Sequence, residues 1–253
     1  MGRSKTKGNK IKMIDIVVPL ADTTEYSRRE LLYSLRSIEK HLKNFRDIYI
    51  LSSTLPAYVD ESKVKFVQYE DDICCNKERR ILNKFLHACT IADLSNKYIM
   101  WNDDYFLTKD LDARKIPYYH SKYTLEDKIR NRKENDRYKH AMTNTYCILR
   151  QRQLPVRYYD IHYPMYYNKI KFPQVMKEYD WEKRHGYVVK SLYANTLKVK
   201  GKIKEDLKIH YEKDKHKISA KIKESDLFST KEITRAMVTL LNELYPEKSR
   251  FEK

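Results

Sequence analysis

Glycine is scarce in this chain of 253 residues, which has only four: Gly2, Gly8, Gly186 and Gly201. A Walker loop, a GxGxxG dinucleotide turn and a kinase glycine-rich loop all need clustered glycines so that the backbone can approach a phosphate closely. The sequence contains no such cluster, so a bound nucleotide must be held by side chains or by a metal ion. Hydrophobic residues make up 41% of the chain, which is enough for the core of one large domain.

Cysteine and long apolar runs are also sparse. Cys74 and Cys75 are adjacent while Cys89 and Cys147 stand alone, which matches neither a CxxC metal or redox site nor a disulfide framework. No apolar run approaches the roughly 20 residues that span a bilayer. The basic start, residues 1–12, leads into a short strand-like run rather than a signal-peptide core. We therefore predict a soluble cytoplasmic protein with a flexible basic tail.

Acidic residues are outnumbered, with 35 Asp and Glu against 52 Lys and Arg, for a formal net charge of +17. Such a surface attracts nucleic acid, anionic lipid headgroups or acidic polysaccharide. The alternative is that lysine is simply abundant, as AT-rich coding favours. The charge is concentrated in the tail and in residues 198–223. This predicts that the charge serves an acceptor or partner and lies away from the reaction centre.

Alternating strand and helix patterns fill the first hundred residues. β-branched runs predict strands, amphipathic spacing predicts helices, and the segments are strands at 13–20, 47–52, 63–68 and 97–101 and helices at 26–43 and 77–93. This order predicts an α/β fold with a mostly parallel sheet flanked by helices over residues 13–118. Ligands bind at the carboxyl ends of the strands in such sheets.

The rest of the chain has less regular patterning. Residues 119–197 are rich in Tyr, Arg, His and Asn, which predicts an irregular, acceptor-side half of the same domain, with helix at 174–195. Residues 198–253 form a basic, lysine-rich C-terminal segment that ends in an amphipathic helix at 230–244. There is no internal repeat and no low-complexity linker, so separate domains are not expected.

The first candidate site is Asn102-Asp103-Asp104, directly after the strand that ends at Trp101. Adjacent carboxylates at a strand end are suitable ligands for Mg²⁺ or Mn²⁺ bridging a diphosphate. The alternative is an exposed turn that caps the next element. The apolar residues on both sides of the pair favour the metal site.

Two further candidates involve paired side chains. Arg80 and Lys84 lie four residues apart on one helix face, where they could bind phosphate oxygens or form an ordinary solvated basic face. Asp160 and His162 would point the same way on an extended backbone, and a carboxylate beside an imidazole can act as a general base or orient a metal ligand. A structural histidine is the alternative for His162.

Several of these segments resemble the conserved blocks of the Stealth family of sugar-phosphate transferases and of related glycosyltransferases with a GT-A nucleotide-sugar fold. The resemblance is carried by IDIVVPL at 14–20, RRELLYSLRSIEKHL at 28–42, FRDIYILSS at 45–53 and KYIMWNDDYFL at 97–107. DIHYP at 160–164 and KSLYAN at 190–195 resemble downstream blocks more weakly.

The resemblance implies metal-dependent chemistry on a nucleotide-activated sugar. Asp103 and Asp104 match the family's acidic metal-binding pair, with Asn102 beside them, and His162 matches its functional histidine and is a further candidate metal ligand. The loop with Pro19, Leu20 and Asp22 would face the nucleotide. The segments after the first strand and before NDD depart from the Stealth pattern, which favours a plain glycosyltransferase over hexose-1-phosphate transfer.

The leading hypothesis is a GT-A-like glycosyltransferase that uses Mn²⁺ or Mg²⁺ and a nucleotide sugar such as UDP-glucose, with Asp160 or His162 as the base. The charge and the tyrosines suggest double-stranded DNA with a hydroxymethylated pyrimidine as the acceptor, a virus-type modification made in a bacterial host cytoplasm. The alternatives are a Stealth-like hexose-1-phosphate transferase acting on a capsular polysaccharide, and a non-catalytic nucleic-acid-binding protein.

Overall fold

The computed structural model describes residues 14–21, 28–72, 74–134, 136–181 and 185–253, with the side chain of Arg28 left out. The described elements are, in chain order, β1 (Asp15–Pro19), α1 (Arg28–His41), β2 (Leu42–Lys43), β3 (Ile48–Ser52), β4 (Lys65–Gln68), α2 (Lys77–Ala88), β5 (Lys97–Met100), β6 (Tyr105–Leu107), β7 (Leu111–Asp112), β8 (Tyr119–His120), α3 (Leu125–Arg130), α4 (Arg137–Gln151), β9 (Met165–Asn168), α5 (Lys171–Met176), α6 (Val189–Thr196), β10 (Lys202–Ile203), β11 (Lys208–Ile209), α7 (Lys215–Ile222), β12 (Leu227–Thr230) and α8 (Arg235–Leu244).

The central sheet has the strand order β4-β3-β1-β5-β9. The first four strands run parallel and β9 is antiparallel to β5. This confirms a mixed α/β fold whose sheet is mostly parallel and flanked by helices. The GT-A assignment is finer than this topology and remains a prediction.

The predicted elements of the first half are all present, because their apolar residues follow the pattern of the element that each forms. In α1, Leu31, Leu35 and Ile38 repeat at helical spacing and are fully buried. In β1, Ile16, Val17 and Val18 are buried on both faces of the sheet, as a central parallel strand requires.

Two predictions for the second half were wrong. Residues 137–151, predicted as loops and short elements, form the 15-residue helix α4, which begins at the N-cap Asp136. The helix predicted at 174–195 is instead two helices, α5 and α6, separated by residues 177–188. The C-terminal helix prediction is confirmed by α8, although β12 precedes it.

The C-terminal segment packs onto the first half through a second sheet with the order β11-β12-β6. Strand β12 is antiparallel to β6, which begins immediately after Asp104, and β11 is parallel to β12. The segment therefore passes beside the candidate acidic pair. None of the described helices is long and apolar enough to cross a membrane. No disulfide forms among the described residues, which include all four cysteines.

Candidate active site

The candidate site lies at the carboxyl edge of the central sheet, between β1 and β5. The chain runs from β1 outward to β3 and β4 and then returns to place β5 on the other side of β1. Such a reversal of strand order opens a crevice at the strand ends, where α/β sheets bind ligands. Asn102, Asp103 and Asp104 follow β5 at this point, with Asp104 only 8% exposed and Asp103 half-buried.

A third carboxylate belongs to the same cluster. Burial, and to a smaller extent the charge of Asp104, raises the pKa of Asp103 to about 7. Burial, followed by the charges of Asp103 and Asp104, raises the pKa of Glu30 to about 8. Sequence reasoning missed Glu30, although its place in the first turn of α1, just after β1, puts it at the same sheet edge.

His162 is held in one orientation by Asp206. The backbone N–H of His162 donates to Asp206 Oδ1 at 2.9 Å, and its ring Nδ1 lies 3.1 Å from both carboxylate oxygens. Lys208 Nζ lies 3.0 Å from the other ring nitrogen, Nε2. An ammonium group only donates hydrogen bonds, so Nε2 is the acceptor and the ring proton sits on Nδ1, facing Asp206. A neutral imidazole in this tautomer presents a basic lone pair on Nε2.

Lys208 joins this histidine to the acidic pair. The same Nζ lies 3.1 Å from Asp104 Oδ2. Because one ammonium contacts both groups, Asp104 Oδ2 and His162 Nε2 lie within two hydrogen-bond lengths of each other. Asp206 and Lys208 were not identified from the sequence, where they read as part of a lysine-rich stretch. The expectation that this stretch lies away from the reaction centre was therefore wrong for Lys208.

The carboxylates are chemically suited to a divalent cation. Asp104 Oδ1 is buried and has no hydrogen-bond partner within the described chain. Burial, followed by the charges of neighbouring carboxylates, raises the pKa values of Glu30 and Asp103, and a bound cation would oppose both effects. Mg²⁺ is commonly bound through one or two carboxylates together with substrate phosphates. No group of three or more metal-ligating side chains assembles among the described residues, and Lys208 covers the nitrogen that His162 would offer as a ligand.

Asp160 and His162 have different hydrogen-bond partners. The Asp160 carboxylate accepts hydrogen bonds from the backbone N–H of Ser191, at 3.1 Å, and from its hydroxyl, at the start of α6. Burial raises the pKa of Asp160, while the bonds from Ser191 oppose the shift. Lys190 is buried next to it and donates to the carbonyl oxygens of Ile161 and Tyr163 at 3.0 and 2.9 Å. The two weaker motifs, DIHYP and KSLYAN, therefore pack against each other and fix the loop that carries His162.

The remaining candidates lie around β1. Lys84 is buried, and its Nζ donates to the Leu20 carbonyl at 2.6 Å and to Asp71 Oδ2 at 2.8 Å, so its charge is engaged in holding the end of β1. Arg80 is half-buried one turn nearer to the start of α2, and Pro19 ends β1. Asp22 lies outside the described residues. A role for any of these residues in nucleotide binding stays a prediction.

Comparison with known proteins finds similarity in the first half of the chain. The family model of Stealth protein CR2, conserved region 2, matches residues 25–126. Two proteins of Actinobacillus pleuropneumoniae, the capsular polysaccharide phosphotransferases cps1A and cps12A, are each 31% identical to this chain over 94 residues. The matches cover 33% of this chain and 25% and 24% of the two relatives, so the chain matches about a quarter of the relatives' length. The matched region of the family model contains Glu30, Asp103 and Asp104, whereas His162, Asp206 and Lys208 lie beyond it.

Proposed function

From the relationship of this chain to the Stealth family through conserved region 2, we propose that it is a sugar-phosphate transferase. It moves hexose-1-phosphate from a nucleoside diphosphate hexose, UDP-hexose in the first instance, to a hydroxyl group of a polysaccharide acceptor. The support is the family match over residues 25–126 and the similarity to two proteins named as capsular polysaccharide phosphotransferases. Of the functions predicted from the sequence, this alternative fits the comparisons better than sugar transfer to DNA.

The reaction is a displacement at the phosphorus that carries the hexose. The acceptor oxygen forms a bond to this β-phosphorus, and the bond from the β-phosphorus to the oxygen bridging the two phosphates breaks. The electron pair of that bond leaves with the nucleoside monophosphate. The acceptor loses its hydroxyl proton, and the product is a phosphodiester between acceptor and hexose.

His162 is the better placed of the two candidate bases. Its Nε2 carries the lone pair that can take the acceptor proton, and Asp206 then faces and stabilises the resulting imidazolium through Nδ1. Hydrogen bonds and charge from His162 hold the pKa of Asp206 below its ordinary value even though burial raises it. Asp160 instead has its carboxylate committed to the start of α6. Asp160 therefore shapes the loop, and His162 acts on the acceptor.

Asp103 and Asp104 would hold the divalent cation, Mn²⁺ or Mg²⁺, with Glu30 beside them. A cation held there would act as a Lewis acid and would stabilise the charge that develops on the leaving nucleotide. The chain itself keeps the carboxylates buried and close together, so that a cation is strongly favoured between them. Arg80 remains a candidate for an additional contact with the phosphates.

The observation that carries this proposal is the chain of contacts from Asp104 through Lys208 to His162, at 3.1 and 3.0 Å. It sets a carboxylate and an imidazole on two sides of the Lys208 ammonium, a cation suited to a phosphate oxygen. A phosphoryl group bound at this ammonium would lie beside both residues, which supports phosphoryl transfer as the reaction.

Identification of the nucleotide product tests the proposal. The protein is incubated with Mn²⁺, UDP-hexoses labelled with ³²P at the β-phosphate, and capsule-type oligosaccharide acceptors, with hydroxymethylated DNA in a parallel reaction. We expect UMP and a labelled oligosaccharide. Release of UDP with an unlabelled, glycosylated acceptor would show glycosyl transfer instead, and glycosylated DNA would identify the acceptor predicted first.

Asp104→Asn tests the acidic pair in the same assay. We expect the rate of UMP formation to fall by at least about 100-fold, because the substitution removes a charge at the proposed reaction centre. Asp110→Asn is the control: Asp110 is exposed and pairs with His41 on the surface. Its activity should stay within about twofold of the wild type, since exposed ion pairs contribute little. Equal activity of wild type and Asp104→Asn would contradict the assigned role.

A further inference from the structure

Lys208 reaches the site because of the path of the C-terminal segment. It starts β11, where it lies opposite Ser229 of β12. Strand β12 in turn pairs with β6, with Ser229 opposite Tyr105, the residue that follows Asp104. Two strand pairings therefore carry Lys208 across to the acidic pair, 104 residues away in sequence. The placement is a consequence of sheet register rather than of a flexible surface side chain.

The charge surroundings of Lys208 are asymmetric. Its ammonium contacts one carboxylate, Asp104, and the neutral nitrogen of His162. Two further carboxylates, Glu30 and Asp103, lie close enough for the charge of Lys208 to lower their pKa values, although burial outweighs this effect. The side chain is 20% exposed, so it borders the crevice rather than the core. Lys208 thus acts on three carboxylates at the place where a diphosphate and its cation would enter, and Lys77 adds its charge at Asp103.

We propose that Lys208 is a phosphate-binding residue that changes partners during the reaction. Before the donor binds, its ammonium holds Asp104 and His162 together. When the donor enters, the ammonium moves to a diphosphate oxygen, Asp104 becomes available to the divalent cation, and His162 Nε2 is uncovered for the acceptor proton. This inference rests on the proposed function, because it assumes a phosphate between these two residues.

The chemistry of lysine suits this exchange. An ammonium on a four-carbon stem has three donors and rotatable bonds, so it can move a few ångströms without any change in the backbone. Its bond to a neutral imidazole nitrogen is replaced by a bond to an anionic phosphate oxygen, which is about twice as strong. The carboxylate that it leaves gains a divalent cation. Lys208 and Asp104 therefore both end with partners of opposite charge, and His162 Nε2 is left open to the acceptor hydroxyl.

Lys208→Met separates this role from a structural one, because two measurements should change in opposite directions. We expect the variant to bind Mn²⁺ without nucleotide about tenfold more tightly, as measured by EPR titration, since a competing cation about 3 Å from the carboxylate is gone. We also expect UDP in the presence of Mn²⁺ to bind more weakly and turnover to fall by about 100-fold, because a phosphate contact is lost. Loss of a purely structural lysine would instead weaken Mn²⁺ binding, UDP binding and turnover together.

Lys204→Met is the matched control. Lys204 is similarly buried, with a side chain 22% exposed, and forms an ion pair with Asp226 at 2.8 Å outside the acidic cluster. Its Mn²⁺ affinity should stay within about twofold of the wild type, because its charge is not beside these carboxylates. Far-UV circular dichroism verifies folding, and Lys208→Gln replaces Lys208→Met if the latter does not fold.

Unchanged or weaker Mn²⁺ binding in a folded Lys208 variant would overturn the proposal, as would unchanged UDP binding. These binding measurements do not depend on which product is formed. If the product assay shows UDP instead of UMP while the Lys208 variant still binds Mn²⁺ more tightly and UDP more weakly, the proposed reaction is wrong and the phosphate-binding role of Lys208 stands. If UMP is formed and the opposite changes are absent, the reaction stands and the role of Lys208 is wrong.

Discussion

Glu30 illustrates how a single residue acquires its character from its surroundings. An acidic residue in the first turn of a helix ordinarily interacts with the helix dipole, which favours its charged form. Here burial and the charges of Asp103 and Asp104 outweigh that effect and raise the pKa of Glu30 to about 8. The carboxylate therefore opposes folding when it is ionised and no cation is bound. This is a cost in stability at a site suited to a metal ion.

The pH dependence of stability measures this cost. A folded-state pKa of about 8, above the unfolded value, favours folding below about pH 4.5, and this contribution is lost as the pH rises through 8. In EDTA, Glu30→Gln should match the wild type near pH 5 and exceed its free energy of unfolding by about 2 kcal/mol at pH 8.5. Urea denaturation at both pH values measures the difference.

Glu61→Gln, at an exposed turn, is the control for that experiment and should show no such pH-dependent gain. A Glu30→Gln difference that is the same at pH 5 and pH 8.5 would show that Glu30 is not coupled to the acidic pair. Addition of Mn²⁺ should reduce the advantage of the variant, because a cation stabilises the ionised carboxylate of the wild type.

Three elements of the second half, β8, β10 and α4, show no clear pattern in the sequence. Strands β8 and β10 have two residues each and pair in parallel, Tyr119 with Lys202 and His120 with Ile203. They are too short for an alternating pattern to be visible in the sequence. Helix α4 was missed for a different reason: its buried face includes Ala141 and Thr145 as well as Leu149, so the contrast between its faces is low. The two strands and the helix are therefore specified by their tertiary contacts.

Gly201, which precedes β10, is a place where this packing can be tested. A Cβ added there would lie 2.9 Å from a ring carbon of His120, 3.1 Å from Tyr159 and 3.2 Å from the carbonyl of Tyr118. Gly201→Ala should therefore lower the free energy of unfolding by about 1–3 kcal/mol through overpacking. Urea denaturation measures this, with Lys202→Ala at an exposed neighbour as the control. A loss below about 0.5 kcal/mol would contradict the tight packing.

At the scale of the whole molecule, two hydrophobic clusters share α1 and β6. In β6, Tyr105 and Leu107 belong to the main cluster and Phe106 belongs to the second, because alternate side chains of a strand point to opposite faces. In α1, Leu31 and Leu35 pack into the main cluster and Tyr33 into the second. The C-terminal segment is therefore joined to the sheet through shared elements, and we expect the two clusters to unfold together.

Phe228→Ala tests this coupling from the second cluster. Phe228 is fully buried and its ring centroid lies 5.2 Å from that of Phe106. The free energy of unfolding should fall by about 3–5 kcal/mol. Trp fluorescence, which reports on buried Trp101 in the main cluster, and far-UV circular dichroism should still give one coincident transition. An early transition in circular dichroism with unchanged fluorescence would show that the C-terminal segment unfolds alone.

The fold pairs part of the basic charge with acidic residues, within the formal net charge of +17. Several lysines of residues 198–223 are engaged in ion pairs: Lys204 with Asp226, Lys215 with Glu243 and Lys221 with Glu212. Lys208 belongs to the candidate site. The count of basic residues therefore overstates the charge available to a polyanionic partner. The same attraction would serve a phosphodiester-linked polysaccharide as well as DNA.

The sequence by itself determined the parallel half of the sheet and the position of Asp103 and Asp104 at its edge. Both depend on local properties, because periodic burial defines each element and a polar residue after a buried strand must lie at the strand's end. The scarcity of glycine likewise made side chains or a metal the only means of holding a diphosphate. His162 was also singled out, through a short motif, and its role stays a prediction.

Only the tertiary structure decided the partners of these residues. Glu30, Asp206 and Lys208 are ordinary charged residues in the sequence, and Lys84, expected at the phosphates, proved to bind Leu20 and Asp71. The interaction of a charged group depends on burial and on distances of a few ångströms, which are set by the pairing of β12 with β6 and by the packing of α6 against the His162 loop. These contacts join residues far apart in the chain, and local periodicity carries no information about them.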